Sequence, residues 1–254
     1  MVTPDSFLHE TRKHYEVFKA LFLWSRGHCM KQVLKETKLG KDTLRKLFSN
    51  WRKLVLCDSV DKLVGLVESD EMAIGRRKYN RGKRSRSTGV QWVHTMVEVE
   101  RNEQGGRQAK RLRAFLLDDR TTSSLCGNIR DNVEEGSFVH TDGWKAYLDL
   151  SRDFVHESVN HKVSFARNEG SHLVHTNTVE SCNAQVRRIA RELHLFYGQS
   201  VRGEKLREKI GEIVFRFNTH KHKDSFLLIL HLLLARFPCT VQKNLCDALE
   251  SLVL

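Results

Sequence analysis

The 254-residue chain has only two prolines, and no Pro-rich linker. It lacks the roughly 20 consecutive apolar residues that a membrane span requires. The nearest run, "FLLILHLLLARF" (226–237), is interrupted by His231 and Arg236 and reads as a buried helix. No membrane is therefore expected as a partner. The stretch "MVTPDSFLHETRKHYE" is too polar for a secretory signal. The six cysteines, at 29, 57, 126, 182, 239 and 246, form no CxxC pair. That argues against a disulfide scaffold and a zinc ribbon, and for reduced thiols in an intracellular protein. No Gly-rich phosphate loop and no Ser-His-Asp order stands out.

Positive charge is what the chain has in excess. Lys and Arg number 43 against 31 Asp and Glu, a net charge of +12. Phosphate backbones and anionic membranes attract such an excess, and small-molecule chemistry rarely needs it. With 40% hydrophobic and 29% charged residues the chain is globular. Its length suits one sizeable domain and a small one.

Residues 1–60 read as all-helical. Phe7, Tyr15, Phe18, Leu21, Phe22 and Trp24 pattern a first helix. Met30, Val33 and Leu34 pattern a second, which Gly40 ends, and Leu44, Leu47, Phe48, Trp51 and Leu54 pattern a third. The third carries Arg45, Lys46, Arg52 and Lys53 on its polar face. A helix, a short turn and a basic helix form either a helix-turn-helix DNA reader or an ordinary basic hairpin. From 61 to 225 strands are expected at 62–70, 85–100, 111–119, 136–143 and 154–161, interleaved with helices at 121–133, 176–195 and 204–220. Hairpin-joined strands followed by strands alternating with helices make an α/β fold, a mixed sheet covered by helices. Residues 226–254 are expected to be helices that pack on this domain. Between the first two strands, "GRRKYNRGKRSRS" (75–87) holds seven basic residues. It is either a solvated loop or a clamp on a phosphate backbone through Arg76, Arg77, Lys78, Lys83 and Arg84.

Three acids stand at telling positions. Asp70 ends the first expected strand. Asp142 ends the fourth, and in "FVHTD" it shares a face with His140 and with Phe138, which helps to bury that side. Glu180 lies near the start of a helix whose core stripe is Val179, Cys182, Val186, Ile189 and Leu193. Glu180, Ala184, Arg187 and Arg191 form the adjacent face. A salt bridge between Glu180 and an arginine is one account of that face. Convergence of the three acids is another. Two unit charges about 4 Å apart repel by roughly 4 kcal/mol at an effective dielectric near 20. A hard divalent cation relieves such repulsion, and Mg²⁺ and Mn²⁺ prefer oxygen ligands. Two such ions catalyse in-line phosphoryl displacement, with Arg187 and Arg191 holding the strand and Lys145 in "DGWKAY" a further DNA contact. Glu68 shares Asp70's strand face, and either assists metal binding or pairs with an arginine.

The motifs "VESDEMAIGRRKYNRGKR", "VHTDGWKAYLDL", "VNHKVSF", "HTNTVES" and "EIVFRFNTH" occur in that order. Over about residues 62–220 they resemble the Merlin superfamily of DDE transposases and its bacterial insertion-sequence relatives. The resemblance implies a ribonuclease-H-like fold and a cut-and-paste DNA transposase. It places the catalytic and metal-binding acids on Asp70, Asp142 and Glu180, with Mg²⁺ or Mn²⁺, two ions, as cofactor. It implies double-stranded DNA as partner, both terminal inverted repeats and target, and a homo-oligomer. The location would be the nucleus in a eukaryotic host and otherwise the cytoplasm. Three departures mark this chain. Asn183 stands where the family commonly has Trp, Arg187 stands where it has Lys, and "NEGSHLVHTNT" is slightly longer than the usual loop before the HTN motif. A domesticated DNA-binding descendant without catalysis is the alternative.

Overall fold

The computed structural model describes residues 14–56, 61–74, 91–159, 167–169, 172–192, 203–219 and 225–236. The chain divides into two compact units, one of residues 60–218 and one of residues 1–59 with 219–254.

In the larger unit, strands β1 (Leu66–Ile74), β2 (Gln91–Arg101), β3 (Arg107–Leu117), β4 (Phe138–Asp142) and β5 (Val155–Val159) form one sheet in the order β3-β2-β1-β4-β5. β1, β2 and β3 pair antiparallel, while β4 and β5 run parallel to β1. This mixed sheet flanked by helices has the ribonuclease-H-like order. Alternation sorts its two faces. On one, Met72, Val93, Val97, Leu112 and Ala114 pack under α5 (Asn177–Glu192) and α6 (Glu204–Thr219), meeting Val179, Cys182, Val186, Ile210 and Ile213. On the other, Val67, Met96 and Val139 pack against α4 (Thr122–Asn132) and the 3₁₀ helix Lys145–Arg152 through Leu125, Ile129, Tyr147 and Leu150. A short hairpin, β6 (Arg167–Glu169) and β7 (His172–Val174), precedes α5.

Three details differ from the sequence reading. Asp70 lies in the middle of β1, because the strand continues through Met72 and Ile74, which are buried, to Gln91 of β2. The polar run "ESDE" gives a false strand end. Phe138 is 45% exposed, and His140 is the buried member of its face. The loop between β2 and β3 is shorter than "RNEQGGRQAK". Asn102 Oδ1 accepts from the Gln104 and Gly106 amides and tightens it, with Gly105 at φ +78°.

The smaller unit contains α1 (His14–Ser25), α2 (Met30–Glu36), α3 (Lys41–Leu56) and α7 (Ser225–Arg236). Trp24, Phe48 and Trp51 form its aromatic centre, with Trp24 and Trp51 ring centroids 5.6 Å apart. α7 packs on α1 and α3. Phe226 meets Phe22 edge-on at 5.4 Å, and the Ser225 hydroxyl donates to the Ser25 carbonyl at 3.0 Å. A helix apolar on most faces does not advertise which neighbour it takes. No helix among the described residues is long and apolar enough to cross a membrane.

Candidate active site

The ladder between β1 and β4 ends at the pair Glu68–His140. Asp70 and Asp142 lie two residues further along each strand, on the face covered by α5. Glu180 sits in the first turn of α5 and is exposed. The three acids share one neighbourhood. Burial, then the nearby charge of Glu71, then those of Asp142 and Glu180, push the Asp70 carboxyl from 3.8 up to about 6, against the pull of the Glu71 backbone N–H. Asp142 Oδ1 accepts from the Trp144 backbone N–H at 3.1 Å.

Glu68 is wholly buried and occupied. Its Oε2 accepts from the Thr178 and Val179 backbone N–H groups at 2.8 and 3.0 Å, and its Oε1 from the Thr178 hydroxyl at 2.9 Å. These are orphan amides of the first turn of α5, so a strand residue caps the helix that bears Glu180. Arg107 adds a contact to Oε1 at 3.2 Å. Of the two roles open to Glu68, structural pairing is the one observed. Beside it, His140 Nε2 lies 3.0 Å from Glu157 Oε2. His175 accepts the Asn177 amide on Nδ1. Burial, Arg107 and His140 lower its pKa to about 4, so the ring is neutral. Burial pushes the Cys182 thiol up to about 12, so it is an inert thiol.

The opposite face of β1 carries a second network. Arg120 lies between the rings of Trp92 and Trp144, 3.9 and 4.2 Å from their centroids, and pairs with Glu71 Oε2 at 2.6 Å. The Tyr147 hydroxyl donates to Glu71 Oε1. Ser69 Oγ meets His94 Nε2 at 2.7 Å, and burial lowers the His94 pKa to about 3. This network joins Glu71, next to Asp70, with Trp144, two residues after Asp142. It was not visible in the sequence.

The sequence-predicted basic residues are spread more widely. Arg187 and Arg191 lie exposed on α5, the helix whose first turn carries Glu180. Lys145 is exposed at the start of the 3₁₀ helix. In the smaller unit Arg45 is exposed and pairs with Asp42 at 2.6 Å, Lys46 is exposed, and Arg52 and Lys53 are half-buried. Arg52 lies over the Phe48 ring at 5.6 Å. Arg76, Arg77, Lys78, Lys83 and Arg84 lie outside the described residues, as does Leu193.

Among the described residues no group of three or more His, Cys, Asp or Glu is close enough to enclose a metal ion. The donor chemistry nevertheless fits a hard divalent cation: oxygen ligands only, with like charges that oppose ionisation of Asp70.

The ISXO2-like transposase domain family matches residues 62–218, more than half of the chain. The chain belongs to this family. The match covers the larger unit almost entirely, and it agrees with the transposase resemblance of the motifs; the narrower Merlin assignment rests on the motifs alone. No curated protein matches the chain. Among solved structures, the crystal structure of the Mos1 strand transfer complex is similar at 11% identity, over 92% of this chain and 79% of that one, with a TM-score of 0.32. At that level of likeness the fold assignment rests on this chain's own strand order.

Proposed function

We propose that this transposase-family chain cleaves and joins DNA strands at transposon terminal repeats, with Asp70, Asp142 and Glu180 as its metal-holding catalytic acids. The observation that carries the reading is the placement of Asp70 and Asp142 on one face, two residues beyond the Glu68–His140 pair, under the helix whose first turn bears Glu180. Mg²⁺ or Mn²⁺, two ions, held there would neutralise the acids and the charge that develops on a phosphate under attack. Arg187 and Arg191, exposed on the helix of Glu180, would hold the scissile strand by its phosphates. Lys145 and the basic residues of the 76–84 stretch would extend that contact. In the smaller unit, residues 1–60 would act as a helix-turn-helix, with α3 presenting Arg45, Lys46, Arg52 and Lys53 to the terminal repeats. The active form would be a homo-oligomer, bound to both repeats and target, in the nucleus of a eukaryotic host or the cytoplasm of a bacterial one.

The experiment is Mg²⁺-dependent nicking of DNA carrying the cognate repeats, by the full chain and by Asp142→Asn, with DNA affinity measured in parallel. Cleavage by the wild type, lost in the variant while binding holds, is the expected result. Undiminished nicking by Asp142→Asn removes that residue from the mechanism. The second reading is a DNA-binding descendant without catalysis. The open spacing of the acids and Asn183 at the family's Trp position favour it. Tight binding of the repeats without any nicking would establish that reading.

A further inference from the structure

Asn183 lies one turn beyond Glu180 on α5 and is only 3% exposed, between the apolar residues Val179, Cys182 and Val186. Its amide has two distinct neighbours. The Thr95 hydroxyl donates to Oδ1 at 2.8 Å, and Nδ2 donates to Asp70 Oδ2 at 2.9 Å. Thr95 stands directly opposite Asp70 in the β1–β2 register, and its hydroxyl also lies 2.9 Å from the Asp70 carbonyl oxygen. A closed ring results: Asp70 backbone, Thr95 hydroxyl, Asn183 amide, Asp70 carboxylate. The reverse amide orientation would set an oxygen against an ionised carboxylate at the same distance, so the charged form of Asp70 fixes the amide end for end.

We propose that Asn183 is a positioning residue for Asp70. It locks the orientation of the carboxylate through a donor that is itself neutral. Neutrality suits the place. A Lys or Arg there would hold the carboxylate equally well, but would repel the cation the acids are to bind. The residue that departs from the family pattern thus replaces bulk with a hydrogen-bonded support for one acid. This inference rests on the catalytic reading of Asp70.

The test uses the full chain with Asn183→Leu, which keeps the size without polar atoms, and Thr95→Val, which frees the amide. Single-turnover nicking at saturating Mg²⁺, Mn²⁺ binding by calorimetry, DNA affinity and thermal unfolding are measured for each. Asn183→Leu should keep its fold and DNA affinity, while nicking or Mn²⁺ affinity falls by about 10- to 100-fold, as losses of a ligand's supporting hydrogen bond do. Thr95→Val should move the same quantity by less. A folded Asn183→Leu protein that binds Mn²⁺ and nicks as the wild type does overturns the proposal. Absence of nicking in the wild type would instead defeat the catalytic reading. In that case, or if Asn183→Leu does not fold, hydrogen exchange of the Asn183 side-chain amide decides. Slow exchange in the wild type that becomes fast in Asp70→Ala upholds the support; fast exchange in both overturns it.

Discussion

Glu68 and Asp70 are two acids on one face of one strand, two residues apart, and their surroundings are opposite. Around Glu68 stand four donors: two helix amides, a hydroxyl and a guanidinium. Around Asp70 the donors are the Asn183 side-chain amide and the Glu71 backbone N–H, and the neighbouring charges are Glu71, Asp142 and Glu180. Burial raises the pKa of both, but only for Asp70 do other acids add to the effect. The difference separates an acid that the fold surrounds with donors from an acid that it sets beside other acids. A buried carboxylate is by itself no sign of chemistry; what surrounds it decides.

The comparison predicts effects of different kinds. Loss of an acid from the open end should act on chemistry first: Asp142→Asn, or Glu180→Gln, should lower single-turnover nicking by on the order of 10³-fold with stability intact. Loss of Glu68 should act on the fold. Glu68→Ala removes the acceptor of two buried helix amides and the Thr178 hydroxyl, and should cost about 3–5 kcal/mol in urea unfolding. A stable Glu68→Ala protein would break the distinction.

Stability against pH sharpens it. The folded-state carboxyl of Asp70 binds its proton more tightly than an ordinary aspartate, with a pKa of about 6 against 3.8. Between those values the folded protein holds more protons than the unfolded chain, so stability falls as pH rises through them and stays reduced above. Asp70→Asn removes the penalty. It should be more stable than the wild type by roughly 3 kcal/mol above pH 6, converging with it below pH 4. Parallel unfolding curves at pH 4 and pH 7.5 check the sign. Saturating Mn²⁺ should narrow the gap at the higher pH. The smallest effect belongs to the other face of the sheet. Arg120→Ala empties the space between Trp92 and Trp144 and unpairs Glu71, for an expected loss of about 1–2 kcal/mol, measured by thermal unfolding, and a modest fall in nicking through the loop after Asp142.

The candidate acids were legible because each stands at an element position that sequence pattern marks. Asp142 closes a short alternating strand, and Glu180 opens an amphipathic helix. Asp70 was legible as an acid but not as mid-strand, because pairing with β2, not local composition, carries β1 on to Ile74. The support around these acids was hidden for a common reason. Glu68 to Val179 and Asn183 to Asp70 span 111 and 113 positions, and nothing local records a contact at that range. Asn183 did leave a trace, as a lone amide at a buried turn of an otherwise apolar stripe. The β6–β7 hairpin left none, since three-residue strands carry too little alternation to read.

The bond between Glu68 and the first turn of α5 also works as a ruler. Two residues of extended strand, about 6–7 Å, separate the carboxylate that fixes the helix from the carboxylate the helix must reach. Glu180 and Asn183 ride on that helix together, so both are registered from the same fixed mark. The chain between Asp142 and Glu180 therefore does not set where Glu180 stands. An insertion or deletion in it should leave Glu180 where it stands, for as long as Glu68 holds the Thr178–Val179 turn.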